Sequence, residues 1–148
     1  MPYEFKLKRR VQFADTDMAG IMHFTNFFRY MEETEHAFYR SLGFSVDMDK
    51  AHKSLGFGWP RVQASCDYLH PLRFEDEVEV HLIVAEIKSK TVRFVFIFRK
   101  TDGGKQLEVA RGGMTVICVT RDRETNRMKA ANIPSVIRSK LEVAPHAS

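Results

Sequence analysis

The chain has 148 residues, with 23 Lys plus Arg against 19 Asp plus Glu and a formal net charge of +4. Hydrophobic residues make up 44% and charged residues 28%, which excludes a disordered chain, a collagen-like fibre and a cysteine-stapled miniprotein. One domain of this length buries a core without needing metal or disulfide. No apolar run approaches the roughly 18–20 residues of a bilayer span, and the N-terminus has no secretory-signal pattern. A cytoplasmic protein is therefore expected, with Cys66 and Cys118 reduced and buried. The basic residues alternate with acidic ones and form no aromatic–basic platform, so no nucleic-acid partner is expected.

Tyr3 to Phe13 alternates loosely and reads as a first strand. The run Ala14-Asp15-Thr16-Asp17-Met18-Ala19-Gly20 ends it in a loop. From Phe24 to Leu42, Phe24, Phe27, Phe28, Met31, Phe38 and Leu42 recur at helical spacing. Thr25 or Asn26 is expected to cap this helix and Gly43 to end it. Glu35 lies on the apolar stripe, so it either reaches the edge of a sheet or touches a site. Asp47 to Ser54 reads as a short second helix, closed by a Gly56-Phe57-Gly58 loop.

Strand character follows Pro60. Arg61 to Tyr68 is one candidate, and Glu77 to Glu86 is another, with Val78, Val80, Leu82 and Val84 on one face. Thr91 to Arg99 carries Val92, Phe94, Phe96 and Phe98 on its even positions. Asp102-Gly103-Gly104 is a hairpin turn, leading into a strand from about Gln106 to Val119. Gly112-Gly113 within it suggests a bulge or a close backbone approach. Arg127 to Ala130 reads as a short last strand, and Pro134 opens a terminal helix with contacts at Val136, Ile137 and Leu141. Residues from Ala144 onward are expected to fray. The pattern is α+β, one long helix against a curved antiparallel sheet of five or six strands. Phe27, Met31 and Phe38 are its core against the even residues of Val92 to Phe98.

Most catalytic signatures are missing. There is no GxSxG, phosphate loop or HExxH, and the six histidines and two cysteines lack ligand spacing, so no metal is expected. The loop before the long helix remains, with Asp15 and Asp17 followed by Gly20 and His23. Free N–H groups at Phe24 or Thr25 could bind an oxyanion, and a carboxylate there could attack a carbonyl or activate water. On the residues alone, turn and capping roles are the ordinary reading of such aspartates.

The run from Phe13 to Glu32, FADTDMAGIMHFTNFFRYME, resembles the opening of the 4-hydroxybenzoyl-CoA thioesterase family of hot-dog acyl-CoA thioesterases. The stretches from Ala64 to Val78 and Ala130 to Ile137 support the resemblance, which covers nearly the whole chain. It implies one hot-dog domain over residues 1–148 that hydrolyses an acyl-CoA thioester to free acid and CoA. Asp17 matches the catalytic carboxylate, as nucleophile or general base. Asp15 matches a residue that shapes the loop, Gly20 one that lets the chain pass close to the thioester. The backbone N–H of Phe24 falls where the carbonyl is polarised, and His23 at a position of variable role. Lys88 and Lys90, with Arg127 and Lys129, fall in regions that hold CoA phosphates. Phe57, Trp59 and Ser65 are candidates to line the acyl pocket from a partner subunit.

The resemblance further implies a homodimer or homotetramer, which would cover apolar area at Val95 and Ile97. No cofactor is implied, since CoA belongs to the substrate. A hot-dog dehydratase or hydratase and a non-catalytic acyl-thioester binding protein are the alternatives.

Overall fold

The computed structural model describes residues 2–47 and 56–145. Strand β1 (Glu4–Arg10) is followed by a 3-10 turn (Phe13–Asp15) and helix α1 (Phe24–Ser41). The strands β2 (Phe57–Gly58), β3 (Arg61–Tyr68), β4 (Glu77–Ile87), β5 (Thr91–Asp102), β6 (Lys105–Ile117), β7 (Val119–Arg121) and β8 (Met128–Ala130) follow, then helix α2 (Ser135–Arg138). The main sheet runs β1-β4-β5-β6-β3, every pairing antiparallel, and β2-β7-β8 form a small second sheet.

The core follows from the alternation. Val80, Leu82 and Val84 lie opposite Phe98, Phe96 and Phe94, and Phe94 in turn lies opposite Met114. Their shared face meets α1, with Phe27 edge-on to Phe98 at 5.2 Å and Phe38 edge-on to Phe94 at 6.2 Å. These residues are buried as expected. Gly112 marks a close approach rather than a bulge. Its register with Cys66 and Phe96 is regular, and a Cβ there would lie 2.6 Å from the Met31 sulfur.

Several expectations are corrected. Phe13 has left the first strand for the 3-10 turn and is exposed. The cap of α1 is His23, not Thr25 or Asn26, because its Nδ1 accepts the Thr25 N–H at 3.3 Å. Phe57–Gly58 is a short strand on β7, not a loop. The strand after the hairpin stops at Ile117, and Val119–Arg121 joins the other sheet. Val136 is exposed while Ile137 and Leu141 are buried. Ala144 is held by its N–H to the Val84 carbonyl at 2.9 Å. Ile97 is already covered within one chain. Cys66 is half-buried, since β3 is an edge strand, whereas Cys118 is buried, and both are free thiols. The expected helix after Asp47 lies largely outside the described residues. No helix among the described residues is long and apolar enough to cross a membrane.

Candidate active site

The loop between β1 and α1 is a compact hairpin-like turn. The Asp17 N–H donates to the Ile21 carbonyl at 2.9 Å, and the Gly20 N–H returns to the Asp17 carbonyl at 3.0 Å. Gly20 adopts φ +79°, a left-handed conformation that glycine takes without penalty. A Cβ there would meet nothing within 4 Å, so backbone conformation, not crowding, calls for glycine. Thr16 and Met22 form a bridge that folds Asp17 back beside the start of α1.

Asp15 and Asp17 are separated by one residue and differ completely in surroundings. Asp15 is 3% exposed. Its Oδ2 accepts from the Gln12 N–H at 2.9 Å and the Tyr30 hydroxyl at 2.7 Å. Its carbonyl accepts from the His23 N–H at 2.9 Å and the Asn26 side chain at 2.8 Å. These bonds fasten the loop to α1. Burial, then the hydrogen bond to Asp15, raises the Tyr30 phenol well above its ordinary range. Asp17 instead faces a cleft, its Oδ1 accepting only the Ala19 N–H at 2.9 Å among the described residues.

That cleft, of about 490 Å³, is lined by Asp17, Phe24, Phe27, Tyr68, His70 and Leu72, among others. The Phe24 amide stands at the first position of α1 and donates to no acceptor among the described residues. It is one of the N–H groups a helix start leaves unpaired, at the positive end of the dipole. The carbonyl of the same residue accepts the Tyr68 hydroxyl at 3.0 Å. Burial pushes the Tyr68 phenol up to about 12. His23 does not line the cleft; its Nδ1 lies 2.7 Å from the Thr25 hydroxyl and its ring stacks on Phe24. A carboxylate with a free oxygen and an unpaired helix-start N–H in one apolar cleft can attack a carbonyl, or activate water, while stabilising the oxyanion.

The other expected site residues lie elsewhere in the chain. Ser65 sits on β3 opposite Gly113. Trp59 is buried and stacked on Tyr39 at 5.6 Å, and neighbouring Phe57 is half-buried. Lys88 and Lys90 occupy the β4–β5 turn, at the Arg61 end of the sheet, because Thr91 lies opposite Ile117 and Arg61 opposite Val116. The Arg138 guanidinium donates to the Lys88 carbonyl, and both line a depression of about 420 Å³. Arg127 and Lys129 are exposed around β8. The Asp17 cleft borders the opposite, Tyr68 end, roughly 23 Å away along β3. One chain thus does not gather these cations or Trp59 around Asp17. The far wall from Tyr68 to Leu72 was not foreseen as part of a site, though its His-Pro dipeptide, placed just after a strand, was a visible signal.

A second polar cluster occupies the Arg61 end. Glu35 is wholly buried, and its Oε1 accepts from Arg61 at 2.6 Å. Among the described residues its Oε2 has no partner, and the buried Tyr39 hydroxyl has none either. Burial pushes the Glu35 carboxyl up to about 7, with Arg61 opposing. Burial also raises both thiols to about 11, so neither Cys66 nor Cys118 has thiolate character at neutral pH.

An antiparallel sheet wrapped on one long helix is the hot-dog architecture. The family description "Thioesterase-like superfamily" matches residues 11–141, and the chain belongs to that superfamily. An Aquifex aeolicus (strain VF5) protein, named only as a candidate esterase, is 39% identical over 102 residues, 69% of this chain and 76% of its own. The 1,4-dihydroxy-2-naphthoyl-CoA hydrolase of Prochlorococcus marinus (strain NATL2A) is 29% identical over 106 residues, 68% of this chain and 67% of its own. The 4-hydroxybenzoyl CoA thioesterase of Pseudomonas sp. strain CBS-3 shares the fold at TM-score 0.82, with 19% identity, covering 93% of this chain and 99% of that one.

Proposed function

We propose that the protein hydrolyses acyl-CoA thioesters to free acid and CoA, with Asp17 as the reacting carboxylate and the Phe24 amide polarising the thioester carbonyl. One observation carries the reading: Asp17, with an open oxygen, and Phe24, with an unpaired N–H, line one apolar cleft. A thioester is an activated acyl donor, so a carboxylate and an oxyanion donor suffice without a serine triad. Asp15 shapes the loop, and no cofactor beyond the CoA of the substrate takes part. The relatives' names specify aromatic acyl-CoAs, and the walls contributed by Phe24, Phe27 and Tyr68 suit a flat acyl group. The cytoplasm, where acyl-CoA is made and used, is the expected location.

The working unit is at least a homodimer. Seven of the eight residues of β3 are exposed, and β3 is an edge of the sheet. Pairing it with β3 of a second copy about a two-fold axis runs the strands antiparallel. The Arg61 end of the second copy would then lie beside the Tyr68 end of the first. Phe57, Trp59, Lys88 and Lys90 of one copy would thereby approach the Asp17 cleft of the other, where the cations would meet CoA phosphates.

The test is CoA release from a panel of benzoyl-type, short, medium and long acyl-CoAs, with wild type beside Asp17→Asn. The expected result is fastest release from the aromatic members and a loss of at least about 100-fold in the variant. Full activity in Asp17→Asn would refute the role of Asp17. Binding without turnover in the wild type would favour the non-catalytic reading instead.

A further inference from the structure

We propose that His70 is the second catalytic residue of the Asp17 cleft, giving a proton to the departing sulfur and then taking one from the hydrolytic water. The proposal rests on the thioesterase reading and adds to it a residue on the opposite wall. Among the described residues, three titratable side chains line the cleft: Asp17, Tyr68 and His70. Tyr68 has its hydroxyl proton engaged by the Phe24 carbonyl at 3.0 Å. Imidazole is the side chain suited to passing a proton in both directions near neutral pH. The histidine nearer in sequence, His23, has its Nδ1 engaged at the cap of α1 and lies outside the lining.

The backbone holds His70 in place. The Leu69 and His70 N–H groups both donate to the Val109 carbonyl, at 2.8 and 3.0 Å. Pro71 follows and restricts His70 to an extended conformation. The two walls are tied at the base of the cleft by the Met22 N–H to the Leu72 carbonyl at 2.7 Å. Met22 also bridges to Thr16, so the segments bearing Asp17 and His70 flank the Ile21–Met22 segment. Two such spacings amount to about 10 Å between backbones. The Ile21–Met22 backbone fills that spacing, and Asp17 and His70 both line the cleft that opens beside it.

The proton balance closes. An Asp17 oxygen bonds to the acyl carbon, the carbon–sulfur bond breaks, and protonated His70 delivers its proton to the thiolate, releasing CoA as the thiol. Water then attacks the acyl carbon of the anhydride and gives a proton to neutral His70. The anhydride carbon–oxygen bond breaks, freeing the acid and restoring the Asp17 carboxylate and the imidazolium.

The test compares wild type, His70→Ala and His70→Gln on one acyl-CoA and on an S-aryl thioester of the same acid, whose thiol leaves without needing a proton. Thermal melts verify that both variants fold. Expected is a fall in kcat on acyl-CoA of about 100-fold in both variants with KM within about two-fold, a smaller fall on the S-aryl ester, and partial recovery of His70→Ala with free imidazole. Rates within about three-fold of wild type, or full activity in His70→Gln, overturn the proposal, as does an equal loss on both thioesters with no response to imidazole. Asp17→Asn, measured alongside, reads the underlying assignment separately. If it is inactive while His70→Ala is not, only the role of His70 falls; a wild type that releases no CoA removes the thioesterase reading itself.

Discussion

Two buried carboxylates, Asp15 in the turn before α1 and Glu35 on α1 itself, are accommodated in opposite ways. Asp15 is met by uncharged donors, the Gln12 amide and the Tyr30 hydroxyl, both fixed by backbone or by packing. Glu35 is met by one charged side chain, Arg61, which comes from the edge strand and is itself partly exposed. Asp15 Oδ2 accepts from two donors, whereas among the described residues Glu35 keeps an unpartnered oxygen. The difference teaches that where donors are scarce, burial dominates, as at Glu35, whose carboxyl it pushes up. Near Asp15 the supply of donors makes a rigid loop from which Asp17 can project. Near Glu35 its scarcity makes a group that takes up a proton around neutrality.

The largest expected break in this comparison comes from Arg61→Ala. Removing the partner of a buried charge costs about 3 kcal/mol or more, and the full cost applies only where Glu35 is ionised. Chemical denaturation at pH 8 should therefore show a much larger loss than at pH 5; equal losses would contradict the assignment. The pH profile of the wild type sharpens the point. The folded-state pKa of Glu35, about 7, lies above its ordinary 4.5, so the folded protein holds a proton that the unfolded chain releases. The stabilisation is complete below pH 4.5 and is lost as pH rises through about 7, by on the order of 3 kcal/mol. Glu35→Gln should flatten that slope in melts recorded from pH 5 to 8. The smallest effect is expected from Tyr30→Phe, which leaves Asp15 Oδ2 with one donor. A loss of about 1–2 kcal/mol, the same at pH 5 and pH 8, is the expected outcome.

The strands were legible wherever one face is buried. Val78 to Val84 and Val92 to Phe98 alternate because a pleated sheet turns every second side chain toward α1. The hairpin at Asp102 was equally plain. Asp17 stood out through the motif around it, and its separation from Asp15 in burial needed the fold. What the sequence could not carry was pairing across distance. Glu35 on the apolar stripe was visible as an anomaly, but its partner lies 26 residues away on β3. The cap at His23 was hidden because histidine is an uncommon choice beside Thr25 and Asn26. The far wall from Tyr68 to Leu72 was hidden because a strand end and a Pro-turn look like ordinary connection until Met22 is seen bonded to Leu72.

Gly112 has a reach beyond its own strand. The absence of a side chain there leaves room for the Met31 thioether against β6. The first turn of that helix carries the Phe24 amide, while Asp17 belongs to a loop tied to α1 by Asp15 and to the far wall by Met22. The seating of the helix on the sheet therefore bears on the spacing of the two groups proposed to react. A single methyl added at Gly112 would press first on the flexible end of Met31, which stands on the same helix as Phe24.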